Sequence, residues 1–116
     1  MITELGKQLR ILRIENNQLL KDMSGKLGIT PAYLSSIENG KRRPTKEIIH
    51  KLFISYDFDE KEKNSILESY YKTIESIEFS SKNASEEQLN LGLAFAREFN
   101  KLDSEDIDKI MKILSK

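Results

Sequence analysis

An all-α fold is predicted by three features of the 116-residue sequence. Apolar residues recur at steps of three and four along most of its length, which is the helical period. Several of these runs open on Ser, Thr or Asp, the residues that cap helix N-termini. No stretch alternates apolar with polar positions as a half-buried strand would.

The elements follow in order. Leu5, Leu9 and Leu12, with Ile11 beside the last, place a first helix from Thr3 to Glu15, ended by Asn16-Asn17. A short second helix runs from Leu20 to Leu27 and stops at Gly28, a residue able to take the left-handed conformation of a tight turn. Thr30-Pro31 opens a third helix, with Thr as cap and Pro at a first position where its missing amide costs nothing. That helix passes through Leu34 and Ile37 to Asn39 and ends at Gly40. The loop Lys41-Arg42-Arg43-Pro44 is basic, and Thr45 caps a fourth helix through Ile48, Ile49, Leu52 and Phe53 to about Tyr56. Ile66/Leu67, Tyr70/Tyr71, Ile74 and Ile77 describe a long amphipathic helix from Glu60 to Phe79. Ser80–Asn83 reads as a linker. Ser-Glu-Glu-Gln from Ser85 is a capping box leading into Leu89, Leu93, Ala96 and Phe99. Asp103 caps a final helix carrying Ile107, Ile110, Met111 and Leu114.

Composition narrows the function classes. The length suits one ordinary domain, or a small domain with an appendage. There are no cysteines, which removes disulfides, thiol catalysis and the common zinc ligand sets. No apolar run approaches a membrane-spanning length, and the N-terminus lacks the layout of a secretory signal, so a cytoplasmic location is expected. The only histidine, His50, has no second ligand near it, and Asp103–Asp108 lacks the central glycine of a calcium loop. No metal or cofactor is expected. Neither a nucleophile with its base nor a phosphate loop is visible, and no enzyme is read here.

Nineteen basic residues balance nineteen acidic ones, but unevenly along the chain. Residues 1–56 carry ten basic groups (Lys7, Arg10, Arg13, Lys21, Lys26, Lys41, Arg42, Arg43, Lys46, Lys51) against five acidic (Glu4, Glu15, Asp22, Glu38, Glu47). The remaining nine basic and fourteen acidic groups lie in residues 57–116. The first half is thus suited to meet a polyanion and the second is not.

The informative constellation is residues 20–39, two short helices joined by a glycine turn and followed by a basic loop. That is the layout of a helix-turn-helix, whose second helix enters the major groove of DNA. Because Leu34 and Ile37 must face the core, Ala32, Ser35, Ser36 and Asn39 face outward, and Tyr33 lies between the two faces.

The residues themselves resemble a family. Leu9-Arg10-x-x-Arg13, Met23-x-x-x-Leu27-Gly28-Ile29-Thr30 and Tyr33-Leu34-Ser35-x-Ile37-Glu38-Asn39-Gly40-Lys41-Arg42-x-Pro44 are similar to the phage-repressor-like (XRE, Cro/cI-type) helix-turn-helix family over about residues 5–58. The resemblance implies a five-helix, lambda-repressor-like DNA-binding domain followed by two amphipathic helices. It implies an ion pair between Arg13 and Glu38, bracing the first helix against the recognition helix. It also implies phosphate contacts from Asn39, Lys41 and Arg43, to which Arg10 and Arg42 are added as candidates. Ala32, Tyr33 and Ser36 fall at positions facing base edges, with Ser35 beside them.

The sequence departs from the pattern at Gln18-Leu19-Leu20. The usual helix-two N-cap and its phosphate-holding amide are expected to be missing there, and Gly25 interrupts the helix. The recognition helix has no Arg, Gln or Asn at a base-facing position, so specificity is expected to lean on Tyr33, Arg42, Arg43 and DNA shape.

The expected organisation is a DNA-binding domain over 1–58, a connecting helix over 59–80 and a dimerisation or partner region over 81–116. Leu89, Leu93, Phe95, Phe99, Ile107, Ile110, Met111 and Leu114 are the dimerisation candidates. The leading function is a dimeric, cytoplasmic repressor reading a palindromic operator in double-stranded DNA through residues 30–39. Two alternatives share the same features: a DNA-binding antitoxin that also neutralises a toxin protein, and an interaction module without DNA binding.

Overall fold

The computed structural model describes all of residues 1–116, and the chain is helical throughout. Seven helices follow in order: α1 (Glu4–Glu15), α2 (Leu20–Leu27), α3 (Pro31–Glu38), α4 (Lys46–Ser55), α5 (Glu60–Ile74), α6 (Glu86–Glu98) and α7 (Ser104–Leu114), with a 3-10 turn at Phe99–Lys101. The chain divides into two compact units, Met1–Ile77 and Glu78–Lys116. None of the helices is long and apolar enough to cross a membrane.

Caps define the helix starts in the first unit. The Thr3, Thr30 and Thr45 hydroxyls accept from the amides of Gly6, Tyr33 and Ile48, each satisfying a donor with no partner inside its helix. The expected weakness at the start of α2 is half repaired. Leu19 offers no side-chain cap, but the Asp22 carboxylate reaches back to accept from the Leu19 amide at 2.8 Å. Gly28 and Gly40 close α2 and α3 with φ of +71° and +75°, where a Cβ would be strained.

The core of this unit is assembled from every helix it contains. Leu5 and Leu9 of α1, Met23 and Leu27 of α2, and Leu34 and Ile37 of α3 meet Ile48, Ile49 and Leu52 of α4. Ile66 and Tyr70 of α5 complete it. The expected connector is therefore partly a core element, since α5 packs along α1 and buries Ile66, Ser69 and Tyr70.

The same helix ends earlier than its apolar spacing predicts. Glu75 takes a left-handed conformation (φ 56°), and the amides of Glu75 and Ser76 both donate to the Tyr71 carbonyl. This is the closure of a helix C-terminus, and it diverts the chain before Ile77 and Phe79, both strongly exposed. Phe79 lies instead against α6 of the second unit, its ring 3.5 Å from where a Cβ on Gly92 would sit.

The second unit holds α6, the 3-10 turn and α7. Reciprocal capping boxes open both helices, Ser85 with Gln88 and Asp103 with Asp106. The Phe95 and Phe99 rings lie 5.4 Å apart across one turn, tilted by 54°. Neither helix buries a single residue.

Candidate nucleic-acid interface

The geometry of the interface begins at Glu38, the last residue of α3. Its carboxylate is 1% exposed and is held by two arginines of α1. Arg13 binds bidentately, Nη1 to Oε2 and Nη2 to Oε1 at 3.0 Å, and is itself 9% exposed. Fork-to-fork pairing fixes direction as well as distance, so it sets the angle at which α3 leaves α1. The Glu38 backbone is engaged too. Its carbonyl accepts from the Thr3 amide at 2.9 Å, and a Cβ placed on Gly6 would lie 2.3 Å from that oxygen. Gly6 is thus the residue that lets α1 approach the end of α3.

Arg10 is drawn into the same cluster. Its Nε donates to Glu38 Oε1 at 3.3 Å and its Nη2 to Asn39 Oδ1 at 3.4 Å, while the side chain stays 44% exposed. Asn39 in turn donates from Nδ2 to the Ser35 carbonyl at 2.9 Å. Both residues are phosphate candidates by sequence, and both have polar atoms engaged within the protein. The sequence carries no signal for this, because residues 28 and 29 positions apart meet only once α1 has packed on α3.

On the outer face of α3, Ala32 is exposed while Tyr33, Ser35 and Ser36 are half-buried. The Ser36 hydroxyl donates to the Tyr33 carbonyl at 2.7 Å, leaving lone pairs rather than a proton for a base edge. The basic loop turns back along this face. The amides of Lys41 and Arg42 both donate to the Ser36 carbonyl, at 2.8 and 3.2 Å. The Arg42 guanidinium lies over the Tyr33 ring, 5.0 Å from its centroid. Lys41, Arg42 and Arg43 are all exposed, and Pro44 is buried behind them.

At the other end of the motif, Gln18 is directed inward. Its Oε1 accepts from the hydroxyl of Tyr56, whose ring also lies beneath the Lys26 ammonium at 5.8 Å. Burial raises the Tyr56 pKa above its ordinary 10.0; the charge of Arg13 opposes the rise and that of Asp22 adds to it.

Two short helices joined by a glycine turn thus carry an exposed basic loop and are braced by a buried arginine–glutamate pair. A family model described as Helix-turn-helix matches residues 9–61, from within α1 to the start of α5. Those residues form a phage-repressor-like helix-turn-helix domain. No curated protein and no solved structure matches the chain. The helix-turn-helix family is one of DNA-binding regulators rather than of enzymes, and its members' partner is double-stranded DNA. The domain's candidate contacts therefore lie on α3 and the loop after it. The dimerisation candidates lie on α6, the 3-10 turn and α7. Leu89, Leu93, Phe99, Ile107, Met111 and Leu114 are 43% to 73% exposed, and Phe95 and Ile110 are half-buried.

Proposed function

We propose that the protein is a dimeric transcriptional repressor that reads a palindromic operator through α3 and its basic loop. The observation that carries this reading is the loop Lys41–Arg43. Three exposed cations follow one another there, and the amides of the first two donate to the Ser36 carbonyl, which turns the loop back along the face of the helix that family members place in the major groove. A polyanion meeting that face encounters a loop whose backbone is already ordered, so less conformational entropy opposes contact. The dimer reading draws on the second unit, whose helices carry large apolar side chains and bury none of them. A two-fold dimer would set two α3 helices about 34 Å apart, one turn of DNA, and a promoter so occupied is closed to polymerase.

The test is titration of the chain against a duplex spanning its own upstream region and against a random duplex, each at several salt concentrations. Preferential, salt-dependent retardation of the upstream duplex is expected. Arg43→Ala should weaken binding to both duplexes and flatten the salt slope by about one, because each phosphate neutralised contributes roughly −0.9. A folded protein that retards neither duplex at low salt would refute the proposal.

A further inference from the structure

The recognition helix contains no residue able to fork onto a base pair. Pro31 and Ala32 have no polar side-chain atoms, the Ser36 proton is engaged by Tyr33, and Asn39 bridges Arg10 and Ser35. One bidentate donor nevertheless lies against this face. Arg42 belongs to the loop, yet its guanidinium is 5.0 Å from the ring of Tyr33, in the first turn of α3. The first turn of a recognition helix is the part that reaches base edges. A guanidinium lying over an aromatic ring uses its face for the contact and leaves its N–H edge open to acceptors. No ion pair or hydrogen bond occupies that edge here. The backbone beneath is also fixed, since the Arg42 amide donates to the Ser36 carbonyl.

We propose that Arg42 is a guanine-reading residue of this domain, and that the Tyr33 ring is the platform that positions it. The inference rests on the DNA-binding reading above and changes the part Arg42 plays within it. The fork of a guanidinium matches the O6 and N7 acceptors that guanine alone presents side by side in the major groove. Tyr33 acts through Arg42 rather than by reading a base itself. Lys41 and Arg43 keep the phosphate contacts, which carry no sequence information.

Selection from a library of duplexes with a randomised core tests this on the full chain. Wild type should enrich guanine at one position in each half-site, and Arg42→Ala should lose that enrichment while the other positions keep theirs. Arg42→Lys decides between the two parts: charge is kept but the fork is lost, so the salt slope should stay and the guanine preference should go. Tyr33→Phe should behave as wild type. Tyr33→Leu should lose the same position as Arg42→Ala, with preference for guanine there falling on the order of tenfold. The free protein offers a separate readout, since the ring should shift the Arg42 side-chain protons upfield in NMR spectra of wild type and Tyr33→Phe but not of Tyr33→Leu. If Arg42→Ala weakens all duplexes equally and Arg42→Lys restores them, Arg42 is a phosphate ligand and the proposal fails. Loss of different positions in Tyr33→Leu and Arg42→Ala would likewise overturn it. A wild type that binds no duplex would instead overturn the DNA-binding reading itself.

Discussion

Glu38 joins three parts of the first unit, and removing its carboxylate would leave the Arg13 guanidinium buried with only the sulfur of Met23 at 3.5 Å for a partner. An uncompensated buried cation is costly, so Glu38→Ala should lower stability by about 3 kcal/mol in denaturant titration. Arg13→Met with Glu38→Leu should recover much of that loss, because the double variant buries no charge. A single-variant loss under about half a kcal/mol would place the pair in water. Tyr56 makes a different prediction, in pH. Its raised pKa means that, above pH 10.0, the unfolded chain loses the phenolic proton before the folded one does. The folded state then binds more protons, so this residue's contribution to stability falls as pH climbs through and beyond 10.0. Lysines titrate in the same range, and comparison with Tyr56→Phe isolates the tyrosine. The variant should lose about 1 kcal/mol at neutral pH with the Gln18 hydrogen bond, and the gap should narrow in alkali.

Among the elements, α1 and α2 each carry a glycine inside a helix, and the same substitution should act on them in opposite directions. A Cβ at Gly25 would meet nothing within 4 Å, so Gly25→Ala should stabilise the protein by about 1 kcal/mol. A Cβ at Gly6 would lie inside the Glu38 carbonyl, so Gly6→Ala must push α1 away from α3 and break the Thr3–Glu38 hydrogen bond. Thermal unfolding of the two variants reads both effects, with a higher midpoint expected for the first and a markedly lower one for the second. Sequence alone ranks the two glycines equally. Their difference is one of neighbours.

At the scale of the whole molecule, the first unit owns a core and the second does not. A chain truncated after Ser81 should therefore stay folded, as judged by a cooperative thermal transition. If self-association resides in the second unit, sedimentation should find the truncated chain monomeric. It should also have lost cooperative occupation of a two-half-site operator while keeping weak, salt-sensitive binding to one half-site. A truncated chain that remains dimeric would place the interface in α1 to α5. The division of charge agrees with such a separation of duties, because the excess of acid in residues 57–116 disfavours contact with phosphates.

Local chemistry is legible in this sequence wherever a residue acts on its near neighbours. Thr30-Pro31, Thr45, Ser85 and Asp103 mark helix starts, Gly28 and Gly40 mark ends, and apolar spacing supplies the helices between them. The motif from Tyr33 to Pro44 was enough to place the recognition helix and the basic loop, because each depends on residues a few positions apart. The end of α5 was not legible, since Ile77 continues the helical spacing and only the backbone at Glu75 turns the chain away. The resemblance places α5 as a fifth helix of the domain but not its packing along α1, and the inward turn of Gln18 and the commitment of Arg10 to Glu38 and Asn39 are not legible either. Each of these is decided by a partner distant in sequence: Tyr70 and Ile66 by the core they join, Gln18 by Tyr56, Arg10 by the end of α3. Arg42 falls in the same class. Its charge could be read from the sequence, but its place over the Tyr33 ring depends on a loop folding back along a helix, which only tertiary structure decides.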